Sequence, residues 1–303
     1  MFGNVMRVYH NSFFAMGSRF NAVFPFYNQE ICEHIFNSIQ SEVLRIESKL
    51  SYFYSGSEVY KINKSAYKFS VQLDEELFNI LETCIDYSKI TSGSFDITLR
   101  PIIESIKENG SPSTPAGQSY LNQIELDKTN KSVRFANEKV KIDFGGFGKG
   151  YALEKVKLLL ENSPIENAFV SFGESSILAK GKHPGGDYWQ VGIKNLFDAD
   201  DSLHVFNISN SSVSTSGNYY VDDTGQLCSK INVINPETGK IAGGLSVMSI
   251  KSDSPLEAEI LSTAFLVMED EKINTTMDRF KNIEAVKISY SENKPVKKLF
   301  HKV

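Results

Sequence analysis

Apolar residues recur at Ile31, Ile35, Ile39, Val43, Ile46 and Leu50. That spacing keeps one helical face dry and predicts a long amphipathic helix over about 29 to 50. A second helix is expected over about 74 to 90, burying Leu77, Leu81, Cys84 and Ile85, with Asp74 as its N-cap and Gly93 beyond its end. Ser254-Pro255-Leu256-Glu257 reads as a capping box with proline at the first helical position, opening a helix to about 268. Helical pattern also runs to about 161 after a glycine-rich stretch, and a short helix is expected near 270 to 281. Phe13 to Phe26, FFAMGSRFNAVFPF, reads as one aromatic-rich strand with a bulge or close approach at Met16-Gly17. Further strands are expected at about 121 to 126, 131 to 135 and 139 to 144. The second half is mostly strand-like, with runs at 166 to 172, 188 to 194, 203 to 208, 212 to 215, 230 to 234, 245 to 251 and 284 to 290. The stretch 55 to 63, SGSEVYKIN, is polar and turn-like, and Asn109 to Gln118, NGSPSTPAGQ, reads as an exposed loop.

The bulk numbers exclude several classes. With 303 residues and a hydrophobic share of 41%, the chain can build a packed core. A net charge of −5 gives no basic stripe for nucleic acid. No run of about 18 apolar residues suggests a transmembrane segment. The N-terminal MFGNVMRVYHNS lacks the features of a signal peptide. The expectation is a cytoplasmic protein, or a periplasmic or membrane-anchored one where a leader has been cut away. Cys32, Cys84 and Cys228 are far apart and odd in number, which argues for reduced thiols and against a zinc site.

Candidate chemistry starts at Val140 to Ala152, VKIDFGGFGKGYA. An apolar run delivers Asp143 into a loop with four glycines and Lys149, and a helix follows. Bared amides, a cation and a helix N-terminus suit a phosphate-bearing ligand. The plain structural alternative is a tight turn into a helix. It is not a P-loop, since Gly150 follows Lys149 where Ser or Thr would hold magnesium, and Gly146, Gly148 and Gly150 miss the dinucleotide spacing. Glu259 and Thr263, four apart on the capped helix, place a carboxylate and a hydroxyl on one face, a pair that suits magnesium. Such a pair is also commonplace on solvated faces. The segments SGSFDIT with Asp96, SFGESS, VSTSGNYY and INVINPETG are each adequate turns taken singly.

Their order carries more. The chain resembles the FAD:protein FMN transferase, or ApbE, family over nearly its whole length. AMGSRF (15 to 20) is similar to the family's AMGT opening, SEVYKIN (57 to 63) to its SEISRIN-type segment and SGSFDIT (92 to 98) to its GGxFDIT motif. IDFGGFGKGYALE (142 to 154) resembles its glycine-lysine loop, STSGNYY its ATSGDY segment, INPETG (234 to 239) its DPRTG turn and EAEILSTAF (257 to 265) its ADALATAL helix. The resemblance implies an α+β protein of the ApbE type, one domain of two intimately joined lobes with a mixed β-sheet flanked by helices. It implies a magnesium-dependent enzyme that splits FAD, releases AMP and attaches FMN to a Ser or Thr of an acceptor flavoprotein. FAD pyrophosphatase activity is its close chemical relative. By the same similarity, Met16 and Gly17 lie against the flavin. Asp96, Lys149, Gly150, Gly173, Glu174, Ser216 and Gly217 belong to the FAD site, and Glu259, Thr263 and a backbone carbonyl near Gly148 hold the metal.

Three departures stand out. The family's HIIDP becomes Asn232-Val233-Ile234-Asn235-Pro236, so Asn232 and Asn235 replace its His and its Asp. The resemblance makes that histidine a general base, and an amide cannot take the proton, a loss typically worth about 10²- to 10⁴-fold in rate. Asp becomes Glu at 259, and a family Gly-Gly pair becomes Gly173-Glu174. Two functions are therefore carried: an active flavin transferase, and a flavin-binding protein with little turnover.

Overall fold

The computed structural model describes residues 8–25, 28–109, 119–221, 224, 226–230 and 233–302. In chain order its first half comprises β1 (Val8–Ala15), β2 (Ser18–Pro25), α1 (Gln29–Leu50), α2 (Glu58–Ser65), β3 (Val71–Gln72), α3 (Glu75–Ile90), α4 (Arg100–Asn109), β4 (Ile124–Asp127), β5 (Ser132–Phe135) and α5 (Gly148–Glu161). The second half comprises β6 (Ala168–Phe172), β7 (Ser176–Lys180), β8 (Trp189–Asn195), β9 (Asp198–Ile208), β10 (Ser211–Gly217), β11 (Tyr219–Val221), β12 (Leu227–Ser229), β13 (Leu245–Ser252), α6 (Pro255–Val267), α7 (Asp270–Met277), β14 (Glu284–Ser291) and β15 (Lys294–Phe300).

The α+β class holds. The principal sheet has eight strands in the order β1-β2-β6-β7-β10-β13-β14-β15, and every neighbouring pair is antiparallel rather than mixed. Three of the seven neighbouring pairs, β1–β2, β6–β7 and β14–β15, are hairpins, and a hairpin can only return antiparallel. Helix α6 lies on β10 and β13, and α5 packs against both α1 and α6. The largest apolar cluster joins these helices to the sheet, with Phe20, Ile39, Leu81, Leu153, Val170 and Phe265 fully buried. A smaller one lies under the β8–β9 hairpin around Trp189 and Phe206, and a third gathers Ile102, Ile106 and Ile234. Among the described residues no helix is long and apolar enough to cross a membrane.

Several elements differ from expectation. The described part of this stretch, 13 to 25, lies in a hairpin, with Met16 (φ +48°) and Gly17 (φ +69°) as a two-residue turn between β1 and β2 instead of a bulge in one strand. Both residues have the positive φ of a type I′ turn, where Asn-Gly is usual and Met is not, so the apolar pattern ran on through the turn. Residues 58 to 65 are helical because Ser57 caps Tyr60 N–H at 2.9 Å and Val59 and Ile62 are buried, a run too short to show a period. The expected strand at 139 to 144 is a turn at Lys139 followed by residues that belong to no strand. The Asn63 side chain holds them, donating to Ile142 O and accepting from Ile142 N, both at 2.9 Å. Residues 121 to 123 form a 3₁₀ turn ahead of β4. The run 230 to 234 contains two residues outside the described set, and its described end makes an isolated bridge, Ile234 to Ile241. Most of the loop at 109 to 118 also lies outside the described residues.

Candidate active site

Helix α6 is where the sequence pattern and burial meet. Ser254 caps it by accepting Glu257 N–H at 3.2 Å, with Pro255 in the first turn. The return arm of the capping box is rerouted: Glu257 is bonded by Ser252 Oγ, whereas Ser254 Oγ donates to Glu154 Oε2 at 2.7 Å. Nine of the thirteen α6 residues are buried, and Glu259 is among them at 4% exposure. A carboxylate in that position must be fully satisfied. Its Oε2 accepts hydrogen bonds from Ser176 Oγ (2.5 Å) and Ser214 Oγ (2.8 Å), and its Oε1 is 3.1 Å from Lys149 Nζ. Burial alone would raise the Glu259 pKa. The Lys149 charge and the two hydroxyls outweigh that and hold it below the usual value.

Lys149 reaches this point from the N-terminal turn of α5, and it also donates to Ser175 Oγ (3.0 Å) and Ser176 Oγ (3.1 Å). Gly150 makes the approach possible. A Cβ there would lie 2.5 Å from Glu259 Cβ and 3.0 Å from Pro255 O, so α5 and α6 touch backbone to side chain at that position. From Glu259 a chain of hydroxyls runs along the cleft wall. Ser214 Oγ is 3.3 Å from Ser262 Oγ, Ser262 is 2.9 Å from Ser216, and Ser216 is 3.2 Å from Thr263 Oγ1.

The opposite wall comes from the segment before α4. Asp96 Oδ1 accepts both Thr98 N–H and Thr98 Oγ1–H at 2.6 Å, which leaves Oδ2 buried without a partner. Asp143 is fixed next to it, since its N–H donates to Ile97 O at 2.8 Å. Its carboxylate takes Gly145 N–H (3.0 Å) and Arg100 Nη1 (3.1 Å). Arg100 also pairs with Glu104 (3.0 Å) and lies over the rings of Tyr52 (4.4 Å) and Phe53 (4.7 Å), so cation–π contact adds to two ion pairs in fixing the guanidinium. Tyr52 donates to Glu104, and burial first, then that carboxylate, pushes its pKa up to about 12.

These walls enclose a cleft of about 300 Å³. A second cleft, of about 320 Å³, opens around Met16, Gly17, Tyr52 and Phe53. Asp143, Gly145 and Lys149 line both, so the two form one groove of the size that takes a small-molecule ligand. Met16 is held in its strained conformation by Glu47, whose Oε1 accepts Met16 N–H at 2.6 Å.

Of the residues singled out in the sequence, the first cleft contains Asp96, Lys149, Ser216, Gly217, Glu259 and Thr263. The second contains Met16, Gly17 and Gly148. The remainder lie elsewhere. Gly150 is buried between helices. Gly173 and Glu174 form the β6–β7 turn with φ of +62° and +58°, and Glu174 is exposed. Asn235 is a turn residue: its Oδ1 accepts Glu237 N–H (2.9 Å) and Thr238 N–H (3.1 Å), and its Nδ2 donates to Val267 O (3.1 Å). Asn232 lies outside the described residues. Arg100, Ser175, Ser176, Ser214 and Lys230 also line or support the cleft and were missed by the sequence reading. Hydroxyls at inward strand positions such as Ser176 and Ser214 were the available signal, since those positions are normally apolar.

Glu259, Thr263 and Ser216 are hard oxygen donors of the kind magnesium takes, and the set fits it in kind. Among the described residues no group of three or more His, Cys, Asp or Glu side chains is placed to hold a metal. A cation here would share Glu259 with Lys149. Gly146 packs closest to Thr263, where a Cβ would be 3.3 Å from Oγ1, while Gly148 faces Met16.

The profile of the ApbE family matches residues 16–287. A FAD:protein FMN transferase of Buchnera aphidicola is 27% identical over 275 residues, covering 85% of this chain and 79% of the relative. One from Escherichia coli strain K12 is 25% identical over 282 residues, covering 87% and 79%. The fold is similar to that of the ApbE protein of Thermotoga maritima, with a TM-score of 0.81, 24% identity and 97% of each chain covered. It is also similar to the flavinyl transferase ApbE of Pseudomonas stutzeri, with a TM-score of 0.80, 20% identity, and 97% of this chain and 95% of that one covered. The family match runs from the Met16-Gly17 turn through the glycine loop and α6 into β14, and this chain belongs to the ApbE family.

Proposed function

We propose that this protein is a magnesium-dependent FAD:protein FMN transferase, which breaks the diphosphate of FAD, releases AMP and joins FMN through a phosphoester to a Thr or Ser of an acceptor flavoprotein. The observation that carries this reading is the ion pair of Lys149, at the N-terminus of α5, with buried Glu259, lining a groove made of two adjoining clefts of about 300 and about 320 Å³. The relatives named above are transferases, which favours transfer over binding alone.

The roles of the side chains follow from their settings. Glu259 aims Lys149, so the ammonium can meet diphosphate oxygens as negative charge builds on them. The first turn of α5 adds its helix dipole in the same sense. Arg100, clamped by the Tyr52 and Phe53 rings and Asp143, offers a second fixed cation near the junction of the two clefts. Asp96, whose Oδ1 is taken by the backbone and hydroxyl of Thr98, stiffens the wall of the groove. Magnesium, when bound, would be held by Glu259 and Thr263 and would neutralise phosphate charge.

The reading is tested by incubating the protein with FAD, magnesium and a Thr-bearing acceptor peptide. AMP release matched by a peptide mass gain of one FMN is expected. FAD that stays intact, with neither AMP nor adduct, would overturn it.

A further inference from the structure

Transfer to a hydroxyl requires a group that takes its proton as the new bond forms. The titratable side chains lining the main cleft are Asp96, Arg100, Asp143, Lys149, Lys230 and Glu259. Arg100 stays protonated in any protein. Glu259 is enclosed by Ser176, Ser214 and Lys149, and Lys149 is itself committed to Glu259. Asp143 is occupied by Gly145 N–H and Arg100. Asp96 has a free oxygen, but that atom is sealed from solvent, out of reach of a hydroxyl carried in by another protein.

Lys230 differs from all of them. It lines the cleft yet is exposed, and among the described residues its ammonium has no hydrogen-bond or ion-pair partner. Its backbone is fixed, because Lys230 N–H donates to Asn218 O at 2.8 Å. The Asn218 side chain in turn donates to the carbonyls of Ala242, Gly243 and Gly244. The protein around it, and then the like charge of Lys149, pushes the Lys230 pKa below the ordinary lysine value, although its outer face is open to water. A lysine so placed carries more free amine near neutral pH and can act as a base. It also stands two residues before Asn232, where the chain lacks an imidazole.

We propose that Lys230 is the proton acceptor for the incoming hydroxyl, an inference that rests on the transferase reading above. The neutral Nζ takes the hydroxyl proton, and the hydroxyl oxygen forms a bond to the FMN phosphorus. The bond from that phosphorus to the bridging oxygen breaks, and its electron pair leaves on AMP. The resulting ammonium returns its proton to solvent, and nothing is oxidised or reduced.

The test measures transfer to the acceptor peptide from about pH 6 to about pH 10 for the wild type, Lys230→Arg and Lys230→Met, with FAD binding followed in parallel. The wild-type rate should rise with pH through a step below the ordinary lysine range. Both variants should lose about 10²- to 10⁴-fold in rate and lose the step, with FAD affinity in Lys230→Arg little changed. Lys230→Arg working at the wild-type rate would reduce the residue to a charge, and either variant keeping the step would place the base elsewhere. Both results overturn the inference while leaving the transferase reading intact. A wild type that transfers at no pH overturns both.

Discussion

Glu259 and Gly150 explain each other at the scale of single residues. A buried carboxylate is tolerated because Lys149 and two serines satisfy it, and Lys149 arrives because Gly150 lets two helices close to contact. Gly150→Ala would push its Cβ into Glu259 and Pro255 O, neither of which can yield without moving α6. Overpacking of this kind typically costs about 1–3 kcal/mol, so a lower Tm and weaker FAD binding are expected. A variant as stable as the wild type in thermal unfolding would show that the helices can part freely. The spacing of Glu259 and Thr263 was legible because i, i+4 on a helix is a geometric statement. Asn235, singled out at the position of the family's Asp, also shapes a turn, and an Asn before Pro in a turn and an Asn in a site look alike in sequence. Its three hydrogen bonds, two to turn amides and one to Val267 O, were invisible there.

Elements are tied together by charges that no periodicity reveals. Arg45 on α1 is 2.7 Å from Glu76 on α3, and Tyr151 on α5 donates to the same carboxylate at 2.8 Å. Arg45 foremost, against burial and with help from Tyr151, holds the Glu76 pKa down at about 2, compared with 4.5 for a free side chain. A depressed carboxylate contributes its stability above the unfolded value and loses it as pH falls through the folded one. Wild-type stability should therefore drop between pH 4.5 and about 2. Glu76→Gln should cost about 1–2 kcal/mol at neutral pH and show a flatter decline over that window. Denaturant titrations across the acid range check this, and parallel curves for the two proteins would contradict it. Long helices such as α1 and α3 were readable because their apolar stripes repeat. Helix α2 and the stretch 140 to 144 were not, since the first spans only eight residues and the second is held outside any sheet by the Asn63 side chain and the Ile97 carbonyl.

For the molecule as a whole, the antiparallel sheet brings distant segments to one place. The β1–β2 turn, the β6–β7 turn, β10 and the faces of α5 and α6 converge on the groove, although they are spread from residue 16 to residue 267. The α+β character showed in the distribution of helical and strand-like runs, and the ordered motifs showed which of them meet. Sheet direction did not show, because strand pairing is a long-range property. Nor did the role of Arg100, whose partners Tyr52, Phe53 and Asp143 come from separate parts of the chain. The central claim is that the two clefts are one FAD site joined at Lys149. A crystal structure of the protein soaked with FAD and magnesium tests it most directly. The account predicts the diphosphate within hydrogen-bond reach of Lys149 Nζ, with one end of the ligand beside Met16 and Gly17. FAD bound away from this groove, or with its diphosphate remote from Lys149, would contradict it.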